Sequence, residues 1–497
     1  MIIESVVILT LFGAGVLLLR ICGLQGWGLI PLGFLAGVML NATVGLVFFV
    51  LRITLLPVPI LAVTAAVPLV LYLIALTRGK NVRISLVPAI FSITAVVAAV
   101  AVFRVANLVR YHVDSFVYLN YAQVMASGDY YQVIGNYAVG KRLIAVSILH
   151  SPAALQDELY LRSLTPLLAI AVLASLAWFA FRGLAPRVGT AAAITFPVLG
   201  VLFLVTANRF VFHAFYLNGH LLVGAAVLVV GATAWLVARS SVDRTLPLFV
   251  LVGLSAATAV STRAEGGLLI MLTLLPFLVS PEVGVRTRRW LAVLVAAPGL
   301  AYYASAIAIG VERTGAETTA IGLFVAHLLY GGLALVIGHA WIKKQWTRLL
   351  VFVEVGMWVM LAIFALRETD LFLQSVESIP LNTISGKWGL TLVMTLLLVL
   401  GALIAVKTPE RIYLRFMVTV FLPFILVIAH VRGGGYRVGH FDSLNRMWME
   451  ILPHAILLVV ASLAEGRWRL TFPVHWSRKS PVVERPSSAV ENGSNVP

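Results

Sequence analysis

Residues 215–238 read FYLNGHLLVGAAVLVVGATAWLVA, a run of 24 positions without an Asp, Glu, Lys or Arg. A helix needs ~20 apolar residues to cross ~30 Å of hydrocarbon, so this run is long enough to span a bilayer. It lacks the alternation of a barrel strand, and its backbone can be satisfied within hydrocarbon only as a helix. Similar runs fall near 3–20, 27–50, 57–77, 85–108, 160–182, 189–207, 246–260, 266–280, 290–309, 320–340, 349–366, 388–405, 413–430 and 448–464. The sequence therefore predicts an all-α, polytopic transmembrane bundle of about 13–15 spans, the lower numbers applying if a short run is re-entrant. Composition agrees: 61% of the 497 residues are hydrophobic and 11% charged. An ordinary soluble domain carries about 25% charged residues.

The basic residues are distributed unevenly. One set of connections, with the tail, holds Arg20, Arg78, Lys80, Arg83, Arg182, Arg187, Arg239, Arg244, Arg286, Arg288, Arg289, Lys343, Lys344, Arg348, Lys407, Arg411, Arg415, Arg467, Arg469, Arg478, Lys479 and Arg485. These 22 face only six acids, while the other 14 basic and 14 acidic residues cancel, so one side carries the whole +16. The positive-inside rule puts that side in the cytoplasm, the amino terminus outside and the carboxyl terminus cytoplasmic. The expected location is the plasma (inner) membrane. Anchoring against anionic membrane lipids accounts for the basicity, and no nucleic acid is needed as a partner.

In this orientation the longer connections, near 109–159, 310–319, 367–387 and 431–447, share the outer face. Long connections commonly carry function. Residues 1–84 form a three-span extension, 85–475 the main transmembrane unit, and 476–497 a polar tail, rich in Ser and Pro, expected to be disordered. Met1 to Leu19 has no basic leading segment and contains Glu4, so it reads as a span that stays. With Cys22 alone, no internal disulfide can form.

The fourth span continues into FRVANLVRYHVDSFVYLNYAQVMASGDYYQVIGNYAVGKRLIAVSILHSPAALQDELYLRSLTP, residues 103–166. Arg104, Asn107 and Arg110 are three apart and share a helix face reaching the outer boundary. Asp114 follows at that boundary. Phe116, Val117, Tyr121 and Val124 against Asn120 and Gln123 predict an amphipathic interfacial helix ended by Gly128-Asp129. A second such helix is expected over Lys141 to His150.

A lone acid just past an early span, an interfacial helix ending in Gly-Asp, and a loop before the next span together resemble the GT-C superfamily of integral-membrane glycosyltransferases. The resemblance is clearest over 104–182, with a weaker echo in GHFDSLNRMWMEILP (439–453), where Arg446 precedes Pro453. It implies a membrane glycosyltransferase in which Asp114 is the catalytic base and a polyprenyl-phosphate-linked sugar is the donor. The acceptor would be a glycan, lipid or protein on the outer face. Two features depart from the family: three extra spans precede the loop, and Ser115 rather than a second acid follows Asp114.

Such a transfer needs a base for the acceptor hydroxyl and cations for the departing phosphate. The phosphate leaves as a stable anion, so one carboxylate suffices, and attack opposite it inverts the anomeric centre. Arg104, Arg110, Lys141, Arg142, Arg263 and Arg446 are candidates for the phosphate. Each has a plainer reading: snorkelling to headgroups for Lys141 and Arg142, and a structural ion pair for Arg104. Asp114 has one too, as a helix N-cap. Tyr111, His112, Tyr118, Asp157, Glu158, Glu265, Arg437, His440 and Asp442 are candidates for substrate contact. Aromatic belts also explain the tyrosines, and capping of the fifth span is the favoured role of Asp157 and Glu158. His213, His220, His440 and His454 lack metal-ligand spacing, so no cofactor or metal is assigned, and nothing in the sequence supports a divalent ion. Other membrane proteins handle the same chemistry: a transporter or flippase of lipid-linked sugars, and a polysaccharide polymerase or ligase. The scarcity of charge in the spans between 189 and 430 argues against translocation.

Overall fold

The computed structural model describes residues 2–79, 86–110, 113–133, 144–241, 245–309, 316–384, 390–404, 409–431 and 443–465. It is an all-α, multi-pass bundle. The described residues contain no strand beyond one bridge pairing Arg110 with Tyr216. Each of the fifteen apolar runs contains a helix among the described residues. Nine helices among the described residues are long and apolar enough to cross a membrane, or ten if one bent pair is a single span. Shorter apolar helices account for the remaining runs.

The chain begins with α1 (Ile2–Cys22), α2 (Leu29–Val50), α3 (Pro57–Thr77) and α4 (Leu86–Ala106). Of these, α2 is buried over most of its length, whereas α3 is largely exposed. Helix α2 packs on α1 so closely that a Cβ on Gly15 would overlap the Gly33 backbone, and one on Gly37 the Leu11 carbonyl. Small residues permit this approach where lipid supplies no hydrophobic drive for helices to associate. The buried Glu4 accepts from the Ser163 amide and hydroxyl, both at 2.7 Å, and from Arg104 at 2.7 Å, tying α1 to α4 and to the start of the fifth span.

The first long connection folds as α5 (Val113–Ser127), α6 (Tyr130–Val133), α7 (Ile144–His150) and a 3-10 turn (Ser151–Gln156). In α5, Ser115, Tyr118, Leu119, Ala122 and Met125 are buried while Phe116 and Asn120 are exposed, so burial is one-sided although apolar and polar residues are not cleanly segregated as an amphipathic helix requires. Gly128, at φ +86°, ends it in a conformation open to glycine. The interfacial helix expected over Lys141 to His150 is different: its described part, α7, is buried at every residue. Its apolar residues face inward on all sides, and its polar groups are satisfied. The Ser147 hydroxyl donates to the Tyr118 carbonyl, and His150 Nδ1 accepts the Leu161 amide.

Next come α8 (Leu164–Val188), α9 (Thr190–Thr206), α10 (Asn208–Ala214) and α11 (His220–Ala238). The chain bends by 80° between α9 and α10, the geometry of a broken span or a re-entrant loop. The run that opened the reading, α11, is the core: every residue from His220 to Leu236 is buried. Around it pack α8, α12 (Leu246–Thr262), α13 (Gly266–Val279) and two late helices, α19 (Ile412–Val431) and α20 (Ser443–Ala464). Outside these run α14 (Val285–Ala308), α15 (Ala316–Val336), α16 (Ala340–Arg367), α17 (Thr369–Ile384) and α18 (Leu390–Ile404). The connection expected at 367–387 is thus itself helical over Thr369–Ile384. Phe352, Val355, Trp358 and Ile363 of α16 are exposed, an apolar surface that suits lipid and would be a liability in water.

At the end of the bundle opposite α5, Arg239 and Arg411 share Glu465, Arg187 pairs with Glu410, and Arg415 pairs with Glu354 at 2.9 Å. The last pair gives Glu354 a basic neighbour, as its place inside the twelfth apolar run leads one to expect.

Candidate functional site

Four pieces of chain meet where α5 begins. The backbone of residues 215–217 runs beside Arg110: the Arg110 amide donates to the Phe215 carbonyl at 2.6 Å, and the Leu217 amide to the Arg110 carbonyl at 3.3 Å. The buried Ser115 hydroxyl donates to the Leu217 carbonyl at 2.9 Å, fixing the first turn of α5 against the entry to α11. The Arg263–Glu265 turn between α12 and α13 and the first turns of α20 complete the site.

Its centre is a buried network of opposite charges. Glu450 of α20 accepts from His220 Nδ1 at 2.6 Å and lies 3.2 Å from Arg263 Nε. Arg263 Nε donates to Glu265 at 2.6 Å, and its terminal nitrogen meets His220 Nε2 at 3.2 Å. Guanidinium only donates, so Nε2 accepts, Nδ1 carries the proton, and His220 is the neutral tautomer. Burial works against the charge of Arg263, but Glu265 and Glu450 more than offset it and hold the guanidinium above its ordinary range. Tyr118, one turn into α5, also acts on that charge and brings the helix bearing Asp114 to the edge of the network.

A second cationic group adjoins it. Arg446 donates to the Tyr216 hydroxyl at 3.3 Å, and Arg209 of α10 lies over the Phe212 ring at 4.7 Å. Between them sits His213, fully buried, its ring 6.0 Å from that of Tyr216 and 5.9 Å from that of His220. Neither ring nitrogen of His213 has a hydrogen-bond partner among the described residues. Burial first, then the charges of Arg209, Arg446 and Arg263, depress its protonation well below the usual imidazole range. Burial and Arg446 push Arg209 down to about 10, with Tyr216 opposing them.

Of the residues singled out from the sequence, Arg263, Glu265, Arg446 and Tyr118 come together here. Arg110 contributes through its backbone, and its side chain is exposed. Arg104 takes the structural alternative, held by Glu4 and Glu158. Glu158 also faces Arg162 at 3.5 Å, so it forms ion pairs rather than a cap. Asp157 is exposed at φ +57° at the end of the 3-10 turn and caps nothing on α8, where Glu4 receives the Ser163 amide instead. The side chain of Asp114 lies outside the described residues, although its backbone is in the first turn of α5. Tyr111, His112, Lys141, Arg142, Arg437, His440 and Asp442 also lie outside them.

Sequence reasoning missed Glu450, Arg209, and the roles of His213 and His220. A usable signal existed for Glu450, a lone acid within the apolar run of α20, four residues after Arg446 and so on the same helix face. Arg209 and His213 have the same spacing on α10. Neither a family model, nor a curated protein, nor a solved structure matches the chain.

Proposed function

We propose that this chain is an inverting membrane glycosyltransferase of GT-C type, moving a sugar from a polyprenyl-phosphate donor to a lipid, polysaccharide or protein acceptor on the outer face of the cell membrane. The observation that carries the reading is the gathering of Arg263, Arg446 and Arg209 beside the first turn of the helix that bears Asp114. Fixed guanidinium groups in a water-poor setting stabilise charge that develops on a leaving phosphate, and they need no reorganisation as the reaction proceeds.

In this mechanism the Asp114 carboxylate accepts the proton of the acceptor hydroxyl. The hydroxyl oxygen bonds to the anomeric carbon on the side opposite the phosphate. The bond from that carbon to the phosphate oxygen breaks, and its electron pair remains on the phosphate facing Arg263 and Arg446. Glu265 and Glu450 are positioning residues: they fix the plane of Arg263 and are too buried to meet the substrate themselves. Only a carboxylate outside this network can serve as base, which favours Asp114 over Glu265 and Glu450.

The test is transfer by the purified full-length chain from a panel of polyprenyl-phosphate sugars. Asp114→Asn should abolish turnover while leaving expression and thermal unfolding unchanged. Turnover retained in that variant removes Asp114 as the base. Translocation of donor across vesicles without any acceptor would replace the transferase reading with a flippase.

A further inference from the structure

We infer that a groove at the head of α14, at the end of the bundle opposite the Arg263–Glu450 network, holds the headgroup of an anionic phospholipid. The inference does not rest on the transferase reading. Val285, Arg286, Arg289, Trp290 and Val293 line an open groove of about 540 Å³. That volume falls in the ~300–1,000 Å³ range of small-molecule sites. Its neighbours fix which end this is. Glu282, in the connection leading into α14, accepts from the Tyr413 hydroxyl at 2.9 Å, and Tyr413 stands two residues after Arg411, which shares Glu465 with Arg239.

The segment VRTRRW, residues 285–290, carries three guanidinium groups, and the helix sorts them. Arg288 is buried and donates to the Leu278 carbonyl at 3.1 Å, so it ties α14 to the end of α13. Arg286 and Arg289, three residues apart, share another face of the helix. Both are exposed in the groove, and neither forms an ion pair with a carboxylate among the described residues. Arg289 has a definite seat. A Cβ on Gly338, in the turn between α15 and α16, would meet its terminal nitrogen at 2.9 Å and Val285 at 3.3 Å. The guanidinium thus lies against the backbone of that turn, an approach that the glycine permits.

Beyond the two cations the same face turns apolar. Trp290 is 66% exposed, and Val293, Leu294 and Ala297 follow it at helical spacing, all exposed. Tryptophan settles at the level of the headgroups. Val293 lies about one turn, ~6 Å, further along the axis than Arg289. The order along the face is cation, indole and aliphatic, which matches phosphate, glycerol and acyl chain. Guanidinium groups give paired hydrogen bonds to the free oxygens of a phosphodiester. A choline or ethanolamine cation would meet a second guanidinium beside the phosphate, so charge complementarity selects a headgroup without a positive group. The excess of basic residues on this side attracts an anionic leaflet in general, whereas the groove holds one molecule of it.

The experiment titrates the full-length chain in detergent micelles with phosphatidylglycerol, or with phosphatidylcholine of the same acyl chains, and counts bound lipid by native mass spectrometry. The first phosphatidylglycerol should bind at least tenfold more tightly than phosphatidylcholine, and excess inorganic phosphate should not displace it. The double variant Arg286→Gln/Arg289→Gln should weaken it at least tenfold. Gly338→Ala changes no charge but displaces Arg289, and should weaken it at least threefold. Arg348→Gln, which removes an exposed cation of α16 outside the groove, should leave the affinity unchanged. Because Arg286 and Arg289 are exposed, the lipid-free double variant should melt with the parent. Equal binding of the two lipids, or unchanged affinity in the double variant or in Gly338→Ala, overturns the site. A loss in Arg348→Gln equal to that of the double variant overturns it too, by showing attraction to diffuse charge. Displacement by inorganic phosphate removes the lipid from the proposal.

Discussion

Glu450 offers the sharpest test of the network at the head of α20. It is wholly buried, receives the proton of His220 Nδ1 at 2.6 Å and faces Arg263 Nε at 3.2 Å. Glu450→Gln keeps the shape and one acceptor oxygen, makes the His220 bond neutral and leaves Arg263 a neutral acceptor in place of a carboxylate. A hydrogen bond to a charged group is worth ~1.5–3 kcal/mol and a neutral one ~0.5–1.5 kcal/mol, so the His220 bond alone loses about 1–1.5 kcal/mol. Glu450→Ala removes both interactions and leaves Arg263 to Glu265 alone; breaking a buried pair costs about 3–5 kcal/mol. A cavity does not relax readily there, because Gly224 of α11 already lies against the Met449 backbone. The internal control is Glu410→Ala, which breaks the more exposed pair with Arg187 and should cost no more than about 1 kcal/mol. Reversible unfolding in mixed micelles reads all three variants. If Glu450→Ala stays within 1 kcal/mol of the parent, or Glu410→Ala matches it, the buried charges do not organise this end of the bundle.

Three further outcomes follow from the packing. Glu4→Ala removes the carboxylate that receives the Ser163 amide and hydroxyl, and should cost about 3–5 kcal/mol in the same assay, with faster proteolysis of α1. Gly37→Leu drives a side chain into the Leu11 carbonyl, so α1 must move off α2; disulfide trapping between the two helices should lose its specific pattern. His213 makes the protein sensitive to acid. It takes up a proton in the unfolded chain as pH falls through about 6.5, but not in the folded one, so its contribution is full above that value and lost progressively below it. The slope should reach at most ~1.4 kcal/mol per pH unit, and His213→Leu should flatten the profile by that amount. An unchanged profile would show that the ring is not neutral when buried.

The crossings were legible because each needs only a run of apolar residues longer than the hydrocarbon is thick, a local property. That α11 would be the centre and α16 the rim was not legible, since both runs are equally apolar and only their neighbours distinguish them. The cationic site was half legible. Arg263 and Glu265 stand two residues apart in a turn, and that spacing announces a pair. Glu450 and His220 are separated by 230 positions, so nothing in either stretch reveals the other. Arg104 was ambiguous for the same reason, because its carboxylates arrive from residue 4 and residue 158. The interior position of α7 was misread because an apolar heptapeptide with two polar residues, Ser147 and His150, looks the same on a membrane surface as under a covering helix.

The Glu4 carboxylate has a further meaning for how the chain is assembled. Its amide partner lies 159 residues downstream, so a ribosome must complete four apolar segments before the acid near the start reaches its final setting. Until Arg104 emerges the first helix holds an unpaired acid that rests near water or in its protonated form, and until Ser163 emerges the acid has its ion pair without the amide and hydroxyl. The leading segment must therefore lodge provisionally during insertion and settle later, and a nascent chain stalled before that serine would be the natural substrate for quality control.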